Sequence, residues 1–154
     1  MARKNPERKV REHNKDFSRT STEGKIRESL ATARLLNAGY DVAQPVVDQR
    51  YDLIAIKYPK FMRIQVKNLK LDHIKDPGQP LSIDQYVIRA FSSPRHEKTT
   101  YSIEDTDFIM GMNIETGEFA IIPIDEVPSS GIIKISIQCD RKQFFNTFQA
   151  LEDF

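Results

Sequence analysis

Glu28, Asp52 and the run Gln65-Val66-Lys67 carry the residue types that hydrolysis at a phosphate needs. Two carboxylates and an amide oxygen can hold Mg²⁺, which prefers oxygen ligands and retains waters. A lysine beside them can orient or deprotonate a water for attack on phosphorus, and ion and ammonium together offset the charge that gathers on the phosphate. Other chemistries find little support. His13, His73 and His96 lie far apart, and none has a His or Cys partner at zinc-ligand spacing. The chain holds no G-x-x-x-x-G-K-S/T, G-x-G-x-x-G or G-x-S-x-G signature, which argues against nucleotide-loop enzymes and serine hydrolases. Cys139, the only cysteine, can form no internal disulfide, has no activating group nearby in sequence and fits a reducing compartment.

These residues act together only if local structure gathers them. Thr20 to Glu23 is a capping box, and Ile26, Leu30, Ala33 and Leu36 or Leu35 follow at helical spacing before Gly39 supplies a stop. The pattern predicts a helix over residues 22–38, with Glu28 beside its apolar stripe. Residues 40–44 then read as a short strand, 51–56 (YDLIAI) as a buried strand, and 61–69 as an alternating one. In the last of these Met62, Ile64 and Val66 point one way while Arg63, Gln65 and Lys67 point the other. Residues 57–60 are too few for anything but a hairpin loop around Pro59. A loop centred between Tyr58 and Pro59 pairs residues whose numbers sum to 117, which sets Asp52 opposite Gln65. Directly opposed residues share a face at about 5 Å, so Asp52, Gln65 and Lys67 converge on one patch, and a register shift of one residue would undo it.

Beyond the hairpin, residues 72–80 read as a loop, 86–91 as a strand and 92–106 as a long polar excursion of the kind that is often functional. Residues 107–114 and 118–124 flank Glu-Thr-Gly as a second hairpin, 132–138 form a further strand, and a helix is expected from Asp140. Phe144, Phe145 and Phe148 are expected in the core rather than at an interface.

The 154 residues suit about one domain. With 39% hydrophobic and 29% charged residues the composition is that of an ordinary globule, with no internal repeat. Net charge is +1, yet residues 1–25 hold +4 and the remainder −3. Arg3, Lys4, Arg8, Lys9, Arg11, Lys15 and Arg19 make the first segment a basic arm, for which a polyanion contact and a solvated terminus are both open readings. Lys57, Lys60, Arg63, Lys67 and Lys70 form a second basic run with no acid among residues 57–70. No stretch approaches the roughly 20 apolar residues of a membrane span, and the polar start lacks a secretory signal, so no membrane partner and a cytoplasmic location are expected.

Taken together, Glu28 on a helix, Asp52 on the second core strand and Gln65-Val66-Lys67 on the third resemble the motifs of the PD-(D/E)XK nuclease superfamily. The stretch TEGKIRESLATARLLNAGYDVAQPVVDQRYDLIAIKYPKFMRIQVKN, with the later YSIEDTDFIMGMNIETGEFAIIPIDEV, is most similar to its group I intron-associated (homing) branch, over about residues 22–127. The resemblance implies a single restriction-endonuclease-like α/β domain, a mixed central β-sheet flanked by helices, over residues 21–154 behind an arm of residues 1–20. It implies a Mg²⁺-dependent (or Mn²⁺-dependent) DNA endonuclease in which Asp52 is the central metal ligand and Glu28 an accessory metal or water ligand. Gln65 would bind the metal through its amide oxygen, the Val66 carbonyl would add another oxygen, and Lys67 would activate the water. Gln65 departs from the Glu or Asp usual at that position and removes one negative charge, which weakens a second metal site. Tyr51 stands where the motif has proline. The implied partner is double-stranded DNA, contacted by the arm and by Arg95 and Lys98 of the long loop. Cutting both strands calls for a homodimer or homotetramer. A Holliday-junction resolvase or restriction-type nuclease would use the same residues, and a non-catalytic DNA-binding module of the same fold is the alternative of another class. A bacterial protein of this kind would be associated with the nucleoid.

Overall fold

Helix α1 (Pro6–Asn37) opens on a proline, which suits a first helical turn because that position's N–H has no partner within the helix. The computed structural model describes residues 6–75, 78, 82–92, 97–136 and 139–154, and the side chains there apart from those of 6–19, 74, 75, 82 and 83. Neither glycine nor proline occurs between Glu7 and Glu23, and charged helix formers fill much of that span. The helix therefore runs straight through Thr20 to Glu23, and the expected start at residue 22 is corrected. A capping-box spacing permits a helix to begin; it does not end one that is already running. At the other end the Gly39 N–H donates to Leu36 O and the Tyr40 N–H to Leu35 O, each at 3.0 Å, with Gly39 at φ +90°. This is a Schellman stop, and the positive φ is why a glycine stands there.

The buried face of α1 is narrower than expected. Ala31 and Leu35 are fully buried with Leu30 and Ala38 packed beside them, whereas Leu36 is 53% and Ile26 is 43% exposed and Ala33 also faces solvent. The stripe therefore runs through Leu35, and small Ala31 lets the helix settle on the sheet along a single ridge. Residues 28, 31, 35 and 38 follow the three-and-four spacing of one helix face, so Glu28 continues the buried ridge one turn beyond Ala31.

Among the described residues seven strands form the main sheet: β1 (Asp41–Ala43), β2 (Leu53–Lys57), β3 (Lys60–Lys75), β4 (Ser82–Arg89), β7 (Phe108–Met112), β8 (Phe119–Pro123) and β9 (Ile132–Ile135). The order β1-β2-β3-β4-β9 is joined by β7, which pairs with β3 in parallel and with β8 antiparallel, so the sheet is mixed. In the β2–β3 hairpin Leu53 faces Ile64, Ala55 faces Met62 and Lys57 faces Lys60, the register expected from the two-residue turn. Strand β3 continues to Lys75 rather than giving way to a loop at residue 72, because β4 pairs with residues 69–75. Within the polar excursion, β5 (Phe91–Ser92) pairs with β6 (Thr99–Thr100), and residues 102–105 close a turn through the Asp105 N–H to Ser102 O at 3.0 Å.

Alternation sorts the strand residues onto two faces. Met62, Ile64, Val66, Phe108, Met110, Met112, Phe119 and Ile121 pack with Ala31 and Leu35 under α1. Leu69, Ile109, Ala120 and Ile122 form a second cluster with Ile88, Ile133 and Ile135 on the other side. The helix expected from Asp140 is corrected to a 3-10 turn (Asp140–Phe144) and a single α-turn, α2 (Gln149–Glu152). Asn146 interrupts it at φ +52°, donating its N–H to Phe119 O at 2.8 Å and accepting the Phe119 N–H on Oδ1 at 3.0 Å. Sealing the edge of β8 takes precedence over helix continuity. The phenylalanines do serve the core: Phe145 lies 4.9 Å from the Tyr86 ring, Phe148 lies 4.8 Å from Phe119, and Phe144 touches both clusters.

Arg63 anchors β3 to the segment before β7. Its Nη2 lies 2.9 Å from Asp107 Oδ1, its backbone N–H donates to Asp107 Oδ2 at 2.7 Å, and its guanidinium also reaches the Ile103 and Glu104 carbonyls. Asp107 is only 9% exposed. Asp107→Ala strands a partly buried guanidinium and an N–H, at a cost of about 2–3 kcal/mol. Urea denaturation should show that loss, and an unchanged midpoint would reduce the pair to surface decoration.

Candidate active site

Asp52 stands at the mouth of β2, one residue before Leu53 begins its ladder with Ile64. Its Oδ2 accepts a hydrogen bond from Gln65 Nε2 at 2.6 Å and another from the Val66 N–H at 2.9 Å. The ladder ends at Leu53 and Ile64, where the Asp52 N–H also donates to Ile64 O at 2.9 Å, so the Asp52 carboxylate reaches Gln65 and Val66 from just beyond the paired strands. Gln65 is 7% exposed and Val66 8%. With a carboxylate in front of it, the Gln65 amide must present nitrogen rather than oxygen. The expected metal-binding Oε1 thus faces Asp52 only after the amide turns over.

Glu28 enters from α1, its side chain 17% exposed, and shares with Asp52 a cavity of about 140 Å³ lined also by Lys25, Asp48 and Tyr51. Burial pushes the Asp52 carboxyl above its ordinary value; the Val66 N–H pulls it back, the Glu28 charge raises it again, and Lys67 and Lys25 lower it. A half-buried carboxylate that a second acid disfavours is a place where a divalent cation gains binding energy. The donors are all oxygens, which suits a hard ion that keeps waters. Among the described residues no three His, Cys, Asp or Glu side chains form a ready-made metal cage.

The basic run of β2 and β3 resolves into distinct roles. Lys57 pairs with Glu152 at 2.9 Å, Lys60 donates to the Glu152 carbonyl at 3.2 Å, Arg63 holds Asp107, and Lys70 meets Asp72 at 3.0 Å. Among the described residues Lys67 alone of the five has neither a carboxylate partner nor a carbonyl; its Nζ lies 4.9 Å from the centroid of the Tyr101 ring. It still acts electrostatically on Asp52, as Glu28 does, while Gln65 and Val66 bond that carboxylate directly.

Sequence reasoning missed Lys25, Asp48, Arg50 and Tyr101. Lys25 Nζ pairs with Glu28 Oε2 at 2.6 Å, three positions along α1, a spacing that could have flagged it. Asp48 precedes Asp52 by one short loop, where Val46 and Val47 stand exposed. The expected DNA contacts are less defined. Arg3, Lys4 and Arg95 lie outside the described residues, as do the side chains of Arg8, Lys9, Arg11, Lys15 and Arg19. Lys98 is exposed, but it donates to Ser130 O and lies 4.6 Å from the Phe91 ring centroid. His73 pairs with Asp84 at 2.6 Å on the surface, and His96 lies outside the described residues. Burial raises the Cys139 thiol, and the N–H groups of Ser136, Arg141 and Lys142 more than reverse that. A larger groove of about 830 Å³ lies between Phe108, Pro123 and Phe154. Its buried acid, Asp107, is committed to Arg63.

Among the described residues no helix is long and apolar enough to cross a membrane. Residues 18–154 match the sequence model of a family described as PD-(D/E)XK endonuclease. No curated protein sequence matches the chain. A solved structure of a bacterial homing endonuclease, I-Ssp6803I, is similar with a TM-score of 0.68 over 87% of this chain and 93% of that one, at 20% identity, a likeness of fold.

Proposed function

This chain belongs to the PD-(D/E)XK endonuclease family, and from that premise we propose that it is a Mg²⁺-dependent DNA endonuclease of the site-specific, intron-homing type. The observation that carries the reading is the junction of Asp52 with Gln65 and Val66, with Glu28 across the same small cavity and Lys67 alongside. Asp52 and Glu28 would hold the ion, with the Gln65 amide oxygen once turned and the Val66 carbonyl. When bound, the ion polarises the scissile phosphate and makes its water a better nucleophile at neutral pH. Lys67 orients the attacking water and meets the charge that develops on the phosphate oxygens. Gln65 keeps the site less anionic than a third carboxylate would, which favours a single ion over two.

Residues 21–154 would be the nuclease domain and the preceding 20 a phosphate-contacting arm, of which residues 6–20 begin α1. Two copies are needed to cut both strands, as a homodimer or homotetramer working on double-stranded DNA in the cytoplasm. A metal-dependent nicking assay on supercoiled plasmid tests the activity: nicks should appear with Mg²⁺ or Mn²⁺ and vanish with chelator. DNA binding without nicking under either ion would favour the non-catalytic module, to which the missing charge at Gln65 lends weight. Faster cutting of a four-way junction than of linear duplex would favour a resolvase.

The family match begins at residue 18, ahead of which stand Arg3, Lys4, Arg8, Lys9, Arg11 and Lys15. Deleting residues 1–17 should weaken binding to every DNA sequence and flatten the dependence of log K on log[salt], by about 0.9 in slope for each phosphate that the arm would otherwise neutralise. An unchanged slope would mark the arm as a solvated extension.

A further inference from the structure

We propose that Tyr101 is the positioning residue for Lys67, its ring holding the ammonium at the site in place of a carboxylate. Lys67 Nζ lies 4.9 Å from the Tyr101 centroid, and the Arg50 guanidinium lies 4.5 Å from the same ring. Arg50 is itself fixed, with Nε 3.0 Å from Asp105 Oδ1 and Nη2 donating to Thr100 O at 3.0 Å. Asp105 in turn accepts the Ser102 N–H at 3.0 Å. The ring packs against the second core cluster. Residues 100–105 with Arg50 thus form a wall in which the Tyr101 ring meets the ammonium of Lys67.

The choice of a ring has a chemical reason. A carboxylate beside Lys67 would hold it tightly but would compete with the phosphate for its charge. A ring face attracts a cation strongly enough to restrict a side chain with four rotatable bonds and weakly enough to be shared with an incoming anion. The other cations of the basic run show the contrast, since Lys57, Arg63 and Lys70 are spent on acids. Arg50 sits at the end of the loop that leads to Asp52, so the same ring also ties that loop to β3.

The inference rests on Lys67 as the water-activating residue, and the experiment separates the two. Plasmid cleavage is measured in Mg²⁺ and DNA affinity in Ca²⁺ for wild type, Tyr101→Leu, Tyr101→Phe and Lys67→Ala. Tyr101→Leu should lower kcat about 10- to 100-fold with DNA affinity unchanged, and Tyr101→Phe, which keeps the ring, should recover to within about threefold of wild type. A merely structural role, which Tyr101→Phe would also rescue, would lower DNA affinity and stability together with kcat and would not give that split. Should Tyr101→Leu unfold, ¹³C-methylated lysine NMR decides independently. The Lys67 signal, identified by its loss in Lys67→Arg, should be shifted upfield by the ring in wild type and in Tyr101→Phe. Wild-type turnover in Tyr101→Leu, equal impairment in both Tyr101 variants, or an unshifted Lys67 signal would each overturn the assignment of Tyr101. Full cleavage by Lys67→Ala would instead overturn the role of Lys67, whatever the NMR signal shows.

Discussion

Lys67→Ala lowers Mg²⁺-dependent strand cleavage by at least about 10²-fold and leaves DNA affinity in Ca²⁺ largely unchanged. The split is expected because the ammonium serves the attacking water and the charge that forms only as the phosphate is attacked. A lysine held over a ring, with no salt bridge among the described residues, contributes little to folding, so the variant should keep its thermal midpoint. Turnover within about threefold of wild type would remove Lys67 from the mechanism and leave the acids to act alone. A parallel fall in affinity and rate would make it a phosphate anchor instead.

How much of this could be read from the sequence depends on the range of the interaction. The junction of Asp52 with Gln65 was legible because a two-residue turn at Tyr58 and Pro59 admits one pairing that keeps Leu53, Ala55, Met62 and Ile64 on a single buried face. A slip of one residue would turn that set toward the other face. Glu28 was legible as a helical acid beside an apolar stripe, though the stripe runs through Ala31 and Leu35 and leaves Leu36 exposed. Which of two adjacent leucines faces the sheet depends on how the helix rolls on it, a tertiary choice that periodicity alone leaves open.

The misses have the same physical origin. The start of α1 was misplaced because local helix propensity ahead of Thr20 outweighs an internal capping motif. The C-terminal helix was misread because Asn146 satisfies the edge of β8, a demand made by a distant strand. The wall of Arg50, Tyr101 and Asp105 joins segments far apart in the chain, so only the parallel pairing of β3 with β7 brings it beside Lys67. The sequence showed a polar loop there but no means of placing a ring on a lysine.

Asp52→Asn abolishes cleavage, by at least about 10³-fold, and yet stabilises the protein in the absence of metal. The two effects have opposite signs because the same carboxylate that binds a cation is disfavoured without one. Burial and the neighbouring Glu28 raise the Asp52 carboxyl above its unfolded value of 3.8. The native state therefore binds more protons than the unfolded state between that value and the raised one, and stability falls as pH rises through this window. The penalty is present above the raised value and absent well below pH 3.8, where both states are protonated. Asparagine removes it while keeping an acceptor for the Val66 N–H, and the Gln65 amide can turn to offer its oxygen to the new NH₂ group. The metal-free variant should melt above wild type near neutral pH, and the two should converge in acid. Added Mg²⁺ should raise the wild-type midpoint and leave the variant's unmoved. A variant that still cuts would move the metal elsewhere, and one that melts lower without metal would mean that the hydrogen bonds to Oδ2 outweigh the cost of burying the charge.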